Sequence, residues 1–203
     1  MESRLEVPIN ASVRHVHLST EHVSALFGSD HKLTIHSQLS QPGQYACEET
    51  VTLVGLKHSI PNVRILGPER KETQVEISRT DEFTLGIDAP VRASGELDGT
   101  PGLTLVGLYG KVELQRGVIR ALRHIHMSPE DAVRFGVQDR DWAMVRVGGE
   151  RGIIFDDVLV RVSPLFRLDM HVDTDEANAA DLHPGAMGTL ISQPTLVKPE
   201  PND

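Results

Sequence analysis

Short runs in which apolar and polar positions alternate recur along most of the chain. They predict strands over residues 50–56, 63–66, 73–78, 103–108, 111–114, 143–147, 157–162 and 166–172. Gly and Pro punctuate these runs at Gln41-Pro42-Gly43-Gln44, Gly67-Pro68, Gly99-Thr100-Pro101-Gly102 and Gly148-Gly149. Many short strands at this spacing suggest a barrel or sandwich. Helical signals are few. Ser19-Thr20-Glu21 and Ser128-Pro129-Glu130-Asp131 each set a capping Ser before acids, and the second adds Pro at the first helical position. Thr80-Asp81-Glu82-Phe83 is a third helix start, and residues 175–182 predict a fourth short helix. All read as caps on a β fold, not as packing layers.

The chain also repeats itself. Arg14-His15-Val16-His17-Leu18-Ser19-Thr20-Glu21 matches Arg123-His124-Ile125-His126-Met127-Ser128-Pro129-Glu130, residue 124 answering to 15 and 126 to 17. Each copy runs on through a short amphipathic stretch to Phe27-Gly28 or Phe135-Gly136. A smaller echo relates Thr52-Leu53-Val54-Gly55-Leu56 to Thr104-Leu105-Val106-Gly107-Leu108. Two related halves are expected, each with a strand running into a capped helix. Residues 192–203, with three prolines between Gln193 and Asp203, predict a disordered tail.

Composition narrows the function classes. The 203 residues are 39% hydrophobic and 24% charged, with a net charge of −9, which describes a globular chain of one or two domains. The acidic balance argues against a nucleic-acid partner, which asks for a basic face. No apolar run approaches the roughly 18 residues of a membrane span, and no charged-then-apolar leader is visible, so no membrane partner is expected. The single cysteine, Cys47, excludes an internal disulfide framework and fits a reducing compartment.

Histidine is unusually frequent, at ten residues against one Trp and two Tyr. In a strand, residues i and i+2 share a face about 6.6 Å apart, so His15 with His17, and His124 with His126, can converge on a cation. One such pair is more often ordinary packing. Two pairs at equivalent places of a repeat favour metal. Further ligands are needed, and His171 and Glu76 both sit in alternating strands; an outward-facing acid is the alternative for Glu76. His22, His31, His36, His58 and His183 fall in helix or loop contexts and read as surface residues.

Basic residues gather at Lys57, Arg64, Arg70 and Lys71. Arg70 follows the Gly67-Pro68-Glu69 turn, which can present a guanidinium to phosphate; a solvated basic loop is the alternative. Cys47 precedes Glu48-Glu49, and two acids disfavour a thiolate. Phosphate-cradling and dinucleotide glycine motifs and a Gly-x-Ser-x-Gly elbow are absent from the sequence. The residues alone reach a two-metal β protein with an anion site. They leave acyl transfer, a zinc hydrolase and a non-catalytic metal-binding scaffold open.

Several motifs, taken in order, resemble one family. They are Arg14-His15-Val16-His17-Leu18-Ser19, Ser40-Gln41-Pro42-Gly43-Gln44, Leu66-Gly67-Pro68 with Arg70, and the run from Thr73 to Asp81. Arg123-His124-Ile125-His126-Met127 and the run from Met170 to Asn178 complete the set. Together, from about Val7 to Ile191, they resemble phosphate propanoyltransferases of the PduL type, the phosphotransacylases of bacterial propanediol and related aldehyde-oxidising pathways. The resemblance implies a mainly β protein of two small β-barrels capped by short α-helices, in a crossed arrangement. Residues 4–13 would join 122–191 in one barrel, and residues 14–121 would make the other, with a two-stranded excursion near 49–58.

It also implies the exchange of a short acyl group between coenzyme A and phosphate, with two Zn2+ ions. The chemistry permits direct transfer without an acyl-enzyme, one zinc activating the thioester or the leaving thiolate, in keeping with the poor setting of Cys47. Carried over by position, His15, His17 and Glu76 would hold one zinc and His124, His126 and His171 the other. Arg70 would bind phosphate and act in catalysis. Coenzyme A would contact Ser12, Val13, Arg14, Lys57, Arg64 and Asn178. The sequence departs from the family pattern at Leu56-Lys57-His58, where Pro-Lys-Gly is expected, and at Val13, where Asn is expected. Family members bound for microcompartments carry an N-terminal amphipathic extension. Only Met1 to Glu6 precede the first motif, so a cytoplasmic enzyme is expected. The family suggests a homodimer. Acyl chain length and native metal are not legible.

Overall fold

The computed structural model describes residues 5–191; the tail expected at 192–203 lies outside them. The described chain is mainly β, with four short helices, and divides into two compact units: residues 5–12 with 122–191, and residues 13–121. Val13 thus falls with the central unit. Among the described residues, no helix is long and apolar enough to cross a membrane.

The chain opens with β1 (Glu6–Ser12) of the first unit and then enters the second. There β2 (His15–His17) runs into α1 (Thr20–Phe27), followed by β3 (Ile35–Gln38), β4 (Tyr45–Val54), β5 (Ser59–Gly67) and β6 (Gln74–Glu76). Next come α2 (Arg79–Leu85), β7 (Val91–Arg92), β8 (Thr104–Val106), β9 (Lys111–Glu113) and β10 (Val118–Ala121). These strands form one open nine-stranded sheet in the order β7-β10-β6-β2-β5-β4-β8-β9, with β3 beside β4. The second of the two expected barrels is a half-barrel whose ends are the two- and three-residue strands β7 and β9. Strands that short leave a closing partner little ladder to pair with. The excursion expected near 49–58 is also part of this sheet, because Thr52–Val54 of β4 pairs with β8 as well as β5.

The chain then returns to the first unit with β11 (His124–Met127), α3 (Pro129–Phe135), β12 (Trp142–Val147), β13 (Ile153–Val162), β14 (Asp169–Asp173), α4 (Thr174–Ala179) and β15 (Met187–Leu190). These close a six-stranded barrel, β1-β14-β11-β13-β12-β15. β1 seals it, parallel to β14 and antiparallel to β15. Alternate residues fill the interior: Val7 and Ile9, Ile125 and Met127, Ala143, Val145 and Val147, Met170 and Val172. In β13 the inward set changes parity, from Phe155 to Val158 and Val160. One extra residue there shifts the register against β12, and Asp157 takes φ 51° at the bulge.

The helices begin where a side chain can satisfy their free amides. Ser19 caps α1 and Ser128 caps α3, with Pro129 in the first turn. α2 starts at Arg79, one residue before the expected Thr80, because Ser78 and Asp81 close a reciprocal capping box. Asp173 and Glu176 do the same for α4, which ends at Ala179. The strand expected over 166–172 begins only at Asp169.

Candidate metal centres

In the 13–121 unit, β2 puts Val16 into the core and turns His15 and His17 to the opposite face. Antiparallel β6 sets Glu76 across from His15 and Gln74 across from His17. The donor atoms of His15, His17 and Glu76 all lie within 4.8 Å of one another, and all three residues are buried. His15 Nδ1–H donates to the Val13 carbonyl at 2.8 Å, which leaves the Nε2 lone pair 3.4 Å from Glu76 Oε2. His17 uses Nδ1 on the Leu66 carbonyl at 3.2 Å, and its Nε2 accepts from Arg70 at 2.8 Å. The far oxygen of Glu76 accepts from Gln74 Nε2 at 2.6 Å and from Ser94 Oγ at 3.2 Å. Burial, then the neighbouring charges of His15 and Arg70, push His17 down to about 3, so its ring is neutral. Burial also works against charge on His15, but Glu76 outweighs it and raises His15 above the usual value.

In the other unit β11 repeats the arrangement. Ile125 and Met127 enter the barrel, while His124 and His126 take the other face. Antiparallel β14 sets His171 across from His124 and Asp169 across from His126. The donor atoms of His124, His126 and His171 again lie within 4.8 Å of one another. His124 Nδ1–H donates to the Leu122 carbonyl at 2.8 Å, the counterpart of the His15–Val13 bond. The two rings of each pair meet edge to face, with centroids 4.9 Å apart in the first and 4.6 Å in the second. Phe166 covers His126 at 4.3 Å. Burial, then the charges of His124, His171 and Arg161, lowers His126 strongly.

A cation suits this second donor set. The Nε2 atoms of His124 and His126 face each other at 3.0 Å, and His126 Nδ1 is buried without a hydrogen-bond partner among the described residues. A proton on His126 Nε2 strands a buried lone pair at Nδ1. A proton on Nδ1 instead opposes two lone pairs at Nε2. The second arrangement is the one a divalent cation converts from repulsion into ligation.

The model of the phosphate propanoyltransferase family matches residues 8–183. The chain belongs to the phosphate propanoyltransferase family. The phosphate propanoyltransferase of Thermotoga maritima is 58% identical over 184 residues, covering 90% of this chain and 88% of that protein. That of Salmonella typhimurium is 53% identical over 187 residues, 91% and 89% of the two chains, and that of Clostridioides difficile 51% over 187 residues, 92% and 90%. The chain is therefore an acyltransferase.

The remaining candidates are placed as follows. Arg70 borders the first donor set through His17 and is steadied by Ser94 Oγ at 3.0 Å. Arg14 donates to Asp81 at 2.8 Å, so at least part of its guanidinium braces the 13–121 unit. Arg64 donates to the carbonyls of Cys47 and Glu48 at 2.7 and 3.0 Å. Lys57 is exposed, and its aliphatic stem lies over Gly86. Val13 is 56% exposed. Ser12 ends β1 and the exposed Asn178 lies in α4, both in the barrel unit. Of the other histidines, His22 meets Thr73, His31 meets Glu49 and His36 meets Glu48, and none joins a donor set.

Sequence reasoning missed four buried or half-buried partners: Gln74, Asp169, Asp81 and Glu176. The signal was present for the first two, which stand two residues before Glu76 and His171 and so share their strand face. For the acids the signal was the arginine in both copies of the repeat. Arg14 meets Asp81, and Arg123 meets Glu176 at 2.7 Å.

Proposed function

We propose that the chain exchanges a short acyl group between coenzyme A and phosphate, with a zinc ion at His15, His17 and Glu76 and a second at His124, His126 and His171. Membership of the family over residues 8–183, joined to two convergent donor sets, is the observation that carries this reading. Forward reaction forms a bond from a phosphate oxygen to the acyl carbon and breaks the carbon–sulfur bond, and the departing thiolate takes up a proton. When bound, the metal ions supply Lewis-acid stabilisation of the thioester oxygen or the leaving sulfur.

The chain's own residues do the rest. The backbone carbonyls of Val13 and Leu122 hold His15 and His124 through Nδ1, with Nε2 turned toward Glu76 and His126 respectively. Arg70, a forked donor beside His17, would bind phosphate and offset its charge, so its contribution is proximity and orientation. Transfer is direct: Cys47 is fully buried, and burial followed by the charge of Glu49 pushes its thiol up to about 11, which leaves no nucleophile there. A buried free cysteine suits a cytoplasmic enzyme.

The test pairs elemental analysis with thiol release from acetyl-CoA and propanoyl-CoA, each with and without phosphate. Two zinc per chain and phosphate-dependent release are expected. Release that ignores phosphate would make the protein a thioester hydrolase. Metal without release would make it a binding scaffold.

A further inference from the structure

The relation between the two donor sets extends beyond the histidine pairs. Residues 74–81 and 169–176 do the same work in their units: a short strand antiparallel to the histidine strand, then a helix opened by a capping box. Gln74 lies opposite His17, and Asp169 lies opposite His126. Each stands two residues before the third donor, on the same face, and each is almost fully buried, at 1% and 2% exposure.

The pair differs in chemistry, and the difference follows the donor. Glu76 only accepts hydrogen bonds when ionised, and Gln74 gives it an amide N–H at 2.6 Å. His171 has an N–H to give, and Asp169 Oδ2 lies 3.0 Å from its Nε2. Both partners are themselves held. Gln74 donates to Ser94 Oγ and accepts from the Gly95 amide at 2.8 Å, while Asp169 Oδ1 accepts from Asn10 Nδ2 at 2.9 Å.

We propose that Gln74 and Asp169 are matched positioning residues, a donor that orients the Glu76 carboxylate and an acceptor that orients the His171 ring. The proposal rests on the two-metal reading above. With Nε2–H given to Asp169, neutral His171 keeps its lone pair on Nδ1, whereas His124, whose Nδ1–H goes to Leu122, keeps its lone pair on Nε2. The two histidines of one centre would then ligate through opposite ring nitrogens.

The experiment measures zinc stoichiometry and affinity by competition with a chromophoric chelator, on the full chain. Asp169→Ala should weaken one of two zinc ions by about 10- to 100-fold and leave the other unchanged. Asp169→Asn, whose amide oxygen still accepts from Nε2–H, should lose much less. Gln74→Ala should weaken the other ion.

A His124→Ala background makes the assignment. There Asp169→Ala should add no further loss to the remaining ion, while Gln74→Ala should still weaken it, a split that general destabilisation does not produce. Nitrogen NMR of zinc-loaded protein should find His171 protonated on Nε2. Wild-type chain that binds no zinc defeats the two-metal reading itself. Wild-type chain with two zinc ions, and Asp169→Ala that holds both with unchanged affinity or weakens both alike, overturns the positioning role alone. His171 protonated on Nδ1 overturns it too.

Discussion

Arg14 and Arg123 stand immediately before the two histidine pairs, and each reaches the N3 acid of the helix that follows the third donor. One acid is Asp81 and the other Glu176, and both also complete a capping box. Asp81 is far more buried: its side chain is 4% exposed against 24% for Glu176. Losing the arginine therefore leaves a less solvated carboxylate in the 13–121 unit. Arg14→Ala should cost about 1–3 kcal/mol, and Arg123→Ala nearer 1 kcal/mol. Hydrogen exchange at the α2 and α4 amides separates the two effects. Cys47 offers a second residue-scale check. With its thiol pushed up to about 11, about one molecule in a thousand is thiolate at pH 8. Iodoacetamide should leave the native chain unlabelled and label it in denaturant. Cys47→Ala should retain phosphate-dependent turnover; loss of turnover with zinc still bound would reinstate a covalent route.

At the scale of elements, the smaller echo has a mechanical explanation. Thr52-Leu53-Val54 and Thr104-Leu105-Val106 pair with each other, Leu53 opposite Leu105, so the repeated tripeptide packs about a local twofold. Each then turns through a glycine. Gly55 donates to the His58 carbonyl and Gly107 to that of Gly110. Two residues on, Lys57 N–H caps Leu85 near the end of α2, and Tyr109 N–H caps Leu26 near the end of α1, both at 3.0 Å. The Leu56-Lys57-His58 departure from the family pattern falls in the first of these turns. A Cβ on Gly55 would sit 2.2 Å from the Leu85 carbonyl oxygen, and one on Gly107 2.6 Å from that of Leu26. Backbone cannot yield as a flexible side chain does. Gly55→Ala and Gly107→Ala should each cost about 1–3 kcal/mol, seen as faster exchange at the C-terminal ends of α2 and α1 respectively.

At the scale of the whole molecule, the barrel depends on a strand from the far end of the chain. β1 pairs with β14 and β15, and Asn10 reaches Asp169 across 159 positions. Ordering so long a loop costs entropy, which the burial of Val7 and Ile9 helps to offset. Ile9→Ala should cost about 2–5 kcal/mol and should deprotect the β14 and β15 amides while leaving β4 and β5 unchanged. Equal deprotection of both units would show that they unfold together.

What the sequence determined by itself is local. Period-two alternation marked most strands, Ser19 and Ser128 marked two helix starts, and two Arg-His-x-His motifs marked the donor strands. These signals need only a few neighbouring residues, because a strand face repeats every two residues and a cap acts within one turn. Tertiary structure decided the rest. None of residues 74–81 is identical to its counterpart in 169–176, so that half of the duplication shows only as shared register and shared capping. The parity change at Asp157, the sealing of one barrel by β1 and the half-open second sheet depend on partners far away in sequence. So does the matching of Arg14 to Asp81 and of Arg123 to Glu176. A hydrogen-bond partner is chosen by what packing brings within about 3 Å, and residue order alone does not carry that distance.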